Sequence, residues 1–401
     1  MKNKYCQHCW PTKRRSHFVF QLEYYVDKVI THFLKRLDFF KLTDKNTKIF
    51  DSHLIVSILS LFKIISFVGE PDVTKLYNRS LIFFVEAKKR SLDIKAIKLL
   101  WFYLNEFRFV HKNKKYYYDS IPITIFPDKN NYRDKFFTKK ILQKNNIPVA
   151  SGELFTNGTK ALNFAKTTGF PLVVKPSKGS LSHHVTCPIN SEVELQGAII
   201  IAQKYRPAFI IEKFITGNLF RATVVGRKLA FVCQKEKANI VGDGHLTIEE
   251  LIKLKNSYAD RGDTHQMNTT LHKISMDDEL IKNLAEQKLN LTSILAINKK
   301  IYLYNKFTLS YGCDIIGCGE KVHADNNALF IKIANVLETD LVGIDFICAD
   351  ISKPYQEQET AVLECNSLPY IDMHQHPSHG RSEPVAEMVW DIVLDRLDKN
   401  E

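Results

Sequence analysis

The chain has 401 residues, of which 45% are hydrophobic and 25% are charged, and its formal net charge is +12. This length and composition are typical of a folded protein with two to three domains and a sizeable core. The lysine and arginine excess is spread along the sequence without a motif that reads nucleic-acid bases, so we expect small anionic partners and no nucleic acid.

The start of the chain and its apolar stretches argue against export and membrane insertion. The first residues lack an apolar segment followed by a small-residue cleavage site. The longest apolar stretch, Leu54 to Val68, contains Lys63 and is shorter than the roughly 20 residues that span a bilayer. We interpret it as a buried helix and expect a cytoplasmic protein with no membrane association.

The eight cysteines are scattered through the chain, and several, such as Cys233 and Cys348, fall within apolar strand-like segments. This pattern favours free buried thiols in a reducing cytoplasm. Cys6 and Cys9 have the spacing of half a zinc site, but no second pair follows. A closed zinc site needs four ligands, so we predict no structural zinc there.

Residues 1–120 are predicted to form a helix-rich N-terminal domain of unknown type. Apolar residues recur at helical spacing from His17 to Phe40, and the segment from Ser80 to Phe109 is interpreted in the same way. The stretch from Asp119 to Asp128, with its two prolines, predicts the join to the next domain.

Beyond this join the pattern of elements is that of an α/β fold. A helix is predicted from Arg133 to Asn145, and Ser191 begins a helix with a capping box. Between such helices lie short apolar strands that end in a charged residue, the first at Lys175 and the second at Glu212. The C-terminal residues, from Pro384 to Leu397, form an amphipathic helix.

The residues at these two strand ends are of the types that bind phosphate and a purine base. Lys175 precedes a loop of small residues, 177–182, whose backbone N–H groups can cradle a phosphate. Glu212 and the residues after it, through Ile215, offer an acid together with backbone donors and acceptors for a purine edge.

Two later apolar strands carry oxygen donors. Glu364 and Asn366 are alternate residues of one strand and therefore share a face, while Asp345 is the one charge in the strand from Leu341. Carboxylate and amide oxygens suit a Mg²⁺ ion bound to phosphates. The alternative is a pair of hairpin strands with an edge charge.

In this order, these segments resemble the ATP-grasp ligases, and in particular the ATP-grasp domain of cyanophycin synthetase and of bifunctional glutathione synthetases. The resemblance covers about residues 127–398. It rests on separated blocks that include Val173–Pro176, Ile211–Gly217, Ile240–Ile248, Gly343–Asp345 and Glu364–Pro369.

The resemblance implies an ATP-grasp fold in which two α+β subdomains enclose the nucleotide, with a lid at about residues 150–214 and a catalytic subdomain at 215–398. It also implies roles for individual residues. These are phosphate contacts from Lys135 and Lys175, an adenine hinge at Glu212, Lys213, Phe214 and Ile215, Mg²⁺ ligands Asp345, Glu364 and Asn366, and catalytic contacts to phosphate or substrate carboxylate from Arg221 and Lys235.

The implied activity is ATP-dependent ligation of a carboxylate to an amine through an acyl phosphate, on amino-acid or small peptide substrates. ATP and Mg²⁺ are the implied cofactors, with Mn²⁺ as a substitute, and a homo-oligomer is an implied assembly. Asp372, beside the metal strand, is expected to attract a cationic substrate group. The alternative function is a degenerate nucleotide-binding protein with a regulatory or scaffolding role, which His183, His184 and Leu219 favour because they depart from the family pattern.

Overall fold

The computed structural model describes residues 17–18, 21–22, 24–25, 60–126, 135–179, 182–263 and 266–399. The cysteine pair at positions 6 and 9, most of the helix predicted from His17 to Phe40 and the first part of the one predicted from Leu54 to Val68 lie outside this part of the chain. Within it, every helix is too short or too polar to cross a bilayer.

The first folded unit is an antiparallel sheet in the order β1-β2-β3-β4 with a helix packed on it. Its apolar residues alternate along the strands, so that Ile94 and Ala96 of one strand and Phe107 and Phe109 of the next are buried. Its elements are β1 (Ile65–Val68), α1 (Asn78–Lys89), β2 (Asp93–Leu99), β3 (Phe102–His111) and β4 (Lys114–Asp119).

The helix predicted from Ser80 to Phe109 is therefore wrong beyond Lys89, where α1 ends and the chain continues as two strands. The end of the apolar stretch from Leu54 is also a strand, Ile65–Val68, and not a helix. The physical reason is the period of burial, which is two in β3, where Asn105, Phe107 and Phe109 are buried. Aromatic and β-branched residues are also dense in this segment, and they favour a pleated surface.

The second unit is a four-stranded antiparallel sheet in the order β5-β8-β6-β7, on which two helices pack through a common apolar cluster. Ser191 caps one of these helices, as its capping box predicts, by accepting a hydrogen bond from the backbone of Glu194. The chain enters through α2 (Lys135–Lys144), whose Leu142 packs in the apolar cluster of the next sheet. The elements of the unit itself are β5 (Gly152–Phe155), α3 (Gly158–Thr168), β6 (Leu172–Pro176), β7 (Thr186–Ile189), α4 (Glu192–Tyr205) and β8 (Phe209–Lys213).

The third unit contains a five-stranded antiparallel sheet in the order β15-β10-β9-β16-β17. Its strands and helices are β9 (Asn218–Val225), β10 (Leu229–Glu236), β11 (Asn239–Val241), α5 (Ile248–Asn256), β12 (Arg261–Gly262), β13 (Leu271–His272), α6 (Asp278–Glu286), β14 (Lys300–Tyr302), β15 (Asp314–Gly317), α7 (Ala324–Val336), β16 (Leu341–Cys348), β17 (Ala361–Asn366), α8 (Asp372–Gln375) and α9 (Val385–Asp398). Short 3-10 turns lie at Val73–Lys75, Pro122–Ile125, Leu309–Tyr311, Gly319–Lys321 and Tyr355–Glu357.

The two faces of this sheet differ in character because side chains alternate along each strand. On one face, Phe220, Ile344 and Phe346 pack in an apolar cluster with Phe330 of α7. The opposite face carries polar side chains, beginning with Arg221 of β9. This polar face is where the candidate site lies.

A separate apolar core forms between the first unit and the C-terminal helix α9. The Trp390 indole N–H donates to the backbone carbonyl oxygen of Phe83 in α1 at 3.0 Å. Its ring lies edge-on to Phe109 and Tyr118, with centroids 5.0 and 5.9 Å away. The described part of the N-terminal region is thus packed into the same core as the end of the chain.

We predict that Trp390→Ala lowers the free energy of unfolding by about 3–5 kcal/mol, because a fully buried ring is replaced by a cavity. Urea unfolding followed by circular dichroism measures the change. The matched control is Val193→Ala on the exposed side of α4, where the side chain is 79% exposed and the expected change is within about 0.5 kcal/mol. Equal effects of the two substitutions would contradict the shared core.

Candidate active site

A row of polar side chains crosses the open face of the five-stranded sheet. Arg221 of β9 is paired with Cys233 of β10 on one side and with Asp345 of β16 on the other, and Asp345 is paired in turn with Glu364 of β17. Directly paired residues of antiparallel strands project from the same face. The register therefore places two carboxylates side by side, an arrangement that requires nearby positive charge.

Asp345 receives that charge from two cations. The Arg221 Nε donates to Asp345 Oδ1 at 2.6 Å, and Lys235 Nζ lies 3.3 Å from the same oxygen. Burial acts to lower the pKa of Arg221, but Asp345 and Glu364 outweigh it and raise that pKa. The guanidinium group therefore stays charged although only 5% of the residue is exposed.

Glu364 is compensated from a different element. Lys135 Nζ, at the start of α2, lies 2.9 Å from Glu364 Oε2, and the Asn366 amide donates to Oε1 at 3.2 Å. Burial acts to raise the pKa of Glu364, but Lys135 above all, together with Arg221 and Lys175, holds it well below the usual range. Glu364 is therefore an anion.

A second charged cluster lies at the edge of the four-stranded sheet. Glu212 is 3% exposed and is held between Lys175, whose Nζ is 2.8 Å from Oε2, and Lys139, which donates to Oε1. Lys139 also donates to the Ala150 carbonyl oxygen at 2.8 Å. Burial acts to raise the pKa of Glu212, but the two lysines outweigh it and lower that pKa.

The two clusters form one electrostatic unit. Lys175 belongs to the second cluster, yet its charge contributes to the lowered pKa of Glu364 in the first. The charges thus come from the four-stranded sheet, from α2 and from the five-stranded sheet. The site lies at the seam where these parts meet.

The structure brings most of the sequence-predicted residues to this seam. Arg221, Lys235, Asp345, Glu364, Asn366 and Lys135 lie in the first cluster, and Lys175 and Glu212 lie in the second. The side chain of Lys213 is directed elsewhere, because its Nζ donates to the Phe170 carbonyl oxygen at 3.0 Å. The Phe214 N–H donates to the Pro171 carbonyl, and Ile215 is buried. The role of these hinge residues stays a prediction.

The sequence reasoning gave Lys139 no role, although the residue lies one turn after Lys135 on α2. Residues four apart share a helix face, and this spacing is the signal that points to it. His374 also lies near the site, where its Nε2 and the Thr223 hydroxyl are 2.8 Å apart. Burial first, and then the charges of Arg221 and Lys235, lower the pKa of His374 to about 3, so the ring is neutral at physiological pH.

The expectation that Asp372 presents an anion to a substrate is contradicted by its burial. Asp372 is 2% exposed and accepts a hydrogen bond from the Thr270 hydroxyl at 2.9 Å. Burial raises the pKa of its carboxyl group. This carboxylate is therefore part of an internal contact and cannot meet a substrate charge directly.

Asp345, Glu364 and Asn366 have the chemistry of a site for Mg²⁺. Two carboxylates and an amide lie on one face of neighbouring strands, and such hard oxygen donors are suited to this ion. Within the described ranges no group of three or more His, Cys, Asp or Glu side chains has a metal-binding arrangement, and the metal role of these three residues stays a prediction.

Comparison with known proteins places these features in context. The family model described as "D-ala D-ala ligase C-terminus" matches residues 141–296. Cyanophycin synthetase of Crocosphaera subtropica is 33% identical over 266 residues, which are 65% of this chain and 30% of the relative. The glutathione biosynthesis bifunctional protein of Clostridium perfringens is 29% identical over 264 residues, which are 65% of this chain and 34% of the relative.

The chain thus spans about a third of the length of these curated relatives. A solved structure, the bifunctional glutathione synthetase from Pasteurella multocida, is similar with a TM-score of 0.62 and 22% identity, over 81% of this chain and 44% of that one. This likeness confirms the predicted α/β fold class with its two α+β subdomains. Residues 141–296 thus match the D-ala D-ala ligase C-terminal family, and the chain shares its fold with a bifunctional glutathione synthetase.

Proposed function

We propose that the protein is an ATP-dependent carboxylate–amine ligase that forms an amide or peptide bond through an acyl phosphate, on amino-acid or small peptide substrates. The observation that carries the proposal is the charge balance of the site. Five cationic side chains face three carboxylates, which leaves an excess of two positive charges. The cations are Lys135, Lys139, Lys175, Arg221 and Lys235, and the carboxylates are Glu212, Asp345 and Glu364.

An excess of fixed positive charge in a desolvated seam favours a nucleotide triphosphate. It also stabilises the charge that moves to the departing diphosphate oxygen when the γ-phosphoryl group is transferred. Phosphoryl transfer needs positioning and charge neutralisation more than a protein nucleophile. This requirement matches a site built from lysine and arginine.

The proposed reaction has two steps. A substrate carboxylate oxygen attacks the γ-phosphorus of ATP, the bond to the bridging oxygen breaks, and ADP leaves with that electron pair. The amine nitrogen of the second substrate then attacks the acyl carbon, the bond to phosphate breaks, and the amine loses a proton. The products are the amide, ADP, phosphate and a proton.

Asp345, Glu364 and Asn366 would hold Mg²⁺, or Mn²⁺ in its place, and the ion would supply charge neutralisation for the phosphates. Arg221 and Lys235 hold Asp345 in position within the cluster. In the proposal, Lys135 and Lys175 bind phosphate oxygens, and residues 212–215 border the adenine. The four-stranded sheet, at about residues 150–214, acts as the lid that excludes water from the acyl phosphate.

The alternative is a nucleotide-binding protein without ligase turnover. Two features support it: Leu219 is buried where an acid for the ribose would be expected, and His184 is 1% exposed, with its Nδ1 2.7 Å from the Ile201 carbonyl oxygen. A packed imidazole of this kind gives little support to phosphate binding by that histidine. Measuring ADP release with and without a mixture of the twenty amino acids separates the two functions, because only a ligase responds to the mixture.

A cytoplasmic location is part of the proposal. It is supported by the cysteines of the described residues, which are free and mostly buried, at Cys187, Cys233, Cys313, Cys318, Cys348 and Cys365. The formation of a homo-oligomer and the absence of nucleic-acid and membrane partners stay predictions.

We predict that Glu364→Gln lowers amino-acid-dependent ADP release by roughly 100-fold or more, because the site loses a negative charge that the proposal assigns to binding Mg²⁺ beside the phosphates. Glutamine keeps the shape and can still accept the hydrogen bond from the Asn366 amide, so the fold should persist. The matched control is Glu249→Gln in the exposed pair with Lys253 on α5, which should keep full activity. Wild-type rates in the Glu364→Gln protein would remove this residue from the site.

We also predict that Lys175→Met raises the KM for ATP by roughly 10- to 100-fold, because a charge-assisted contact to phosphate is lost. Lys166→Met, on the exposed surface of α3, is the control and should leave the KM unchanged. Steady-state kinetics at saturating amino acids, with ATP varied, provide the measurement. If Lys175→Met alters kcat alone, the residue does not contribute to ATP binding.

A further inference from the structure

Helix α1 of the N-terminal region reaches the loop that follows the metal strand. This loop, residues 368–370, begins two residues after Asn366. Arg79 Nη1 donates to the Leu368 carbonyl oxygen at 3.0 Å, and the Arg79 guanidinium lies over the Tyr370 ring, 4.8 Å from its centroid. A residue remote in sequence from the ATP-grasp domain therefore borders the proposed active site.

The position of Arg79 is fixed by the residue before it. The Asn78 N–H donates to the Met267 carbonyl oxygen at 2.8 Å, and the Asn78 side chain donates to the Thr270 hydroxyl at 2.7 Å. That hydroxyl donates in turn to Asp372 at 2.9 Å. The start of α1 is thus attached to both sides of the loop. Through Thr270, these contacts connect the start of α1 to the buried Asp372.

The positive charge of Arg79 has no direct counter-charge in the part of the chain that the structure describes. Its hydrogen bonds go to neutral oxygens, the Leu368 carbonyl and the Ser120 hydroxyl at 3.3 Å, and it forms no ion pair with a described carboxylate. Asp119 is linked to it only through that hydroxyl. A partly buried guanidinium without a paired carboxylate is costly, so such a group suits the binding of an anionic ligand.

The loop also joins Arg79 to the catalytic row. Pro369 packs beside Gly343, where an added Cβ would lie 2.7 Å from the proline and 3.1 Å from Arg221 Nη1. Tyr370 is 38% exposed. Burial raises the pKa of its hydroxyl group, and the charges of Arg79 and Arg221 partly oppose that rise. Two guanidinium groups therefore flank a loop that remains open to solvent at Tyr370.

We propose that Arg79 determines specificity by binding the free carboxylate of the substrate that supplies the amine. The inference rests on the proposed function. In amide formation an amino acid or peptide reacts through its amine, and its own carboxylate remains charged in the site and in the product. A second cation beside the acyl-phosphate position is what such a substrate requires.

The test compares each of the twenty amino acids with its carboxamide, as ADP release by the full chain. We expect the wild-type protein to favour the acids by roughly 10-fold or more, because burying a charged pair in its correct geometry discriminates by that amount. Arg79→Gln can still donate to the Leu368 carbonyl oxygen but has no charge, and it should bring the ratio close to one. Arg79→Lys keeps the charge and should keep most of the preference.

The matched control is Arg108→Gln on β3 of the same unit, where the arginine also lies over an aromatic ring, Phe67, and is paired with Asp93. It should retain the wild-type ratio. The proposal is overturned if Arg79→Gln keeps that ratio, or if it lowers the rates with acids and carboxamides by the same factor, as a purely structural role would.

Failure of the ligase function itself is distinguishable from failure of this inference. If the wild-type protein releases no ADP with any amino acid, the proposed function on amino-acid substrates is wrong. The same acid and carboxamide panel is then measured by calorimetry for binding to the protein loaded with a non-hydrolysable ATP analogue. A preference for acids that Arg79→Gln removes supports the role of Arg79, whereas no binding, or an unchanged preference, refutes it.

Discussion

The site depends on how two neighbouring carboxylates are kept ionised inside the fold. The strand register puts Asp345 directly opposite Glu364, and each would repel the other if left unpaired. Arg221 occupies the next position of the same row, and Lys135 reaches Glu364 from α2. Because these cations come from different elements, the anionic pair exists only when the five-stranded sheet and α2 are assembled.

The same requirement explains why the lysines of the seam are spread over several elements. Lys139 and Lys175 balance Glu212, and Lys175 also contributes to the lowered pKa of Glu364. Ion pairs of this kind contribute little to stability, since desolvation of the charges offsets their attraction. Under the proposed function, each lysine is held in a defined place from which it exchanges its carboxylate partner for a phosphate oxygen.

Local patterns in the sequence were sufficient to place Glu364 and Asn366 on one face of β17, and they were insufficient for the N-terminal region. The shared face of Glu364 and Asn366 follows from alternation along a single strand, which needs no knowledge of the fold. The pairing of Glu364 with Lys135, the part played by Lys139 and the burial of Asp372 depend on contacts between distant segments. The strands β2 and β3 were mistaken for helix because closely spaced aromatic residues satisfy the helical period and the strand period together.

The two ends of the described chain meet around the catalytic sheet, and this has a consequence for substrate recognition. Trp390 of α9 is hydrogen-bonded to Phe83 of α1, one helical turn after Arg79. The position of Arg79 over Tyr370 therefore depends both on the apolar core that α1 shares with α9 and on the hydrogen bonds of Asn78 to Met267 and Thr270. Under the proposed function, Arg79 reaches the substrate side from an element outside the charged seam. Under the same proposal, substitutions in α1 would alter substrate choice and leave the ion pairs of the charged seam intact.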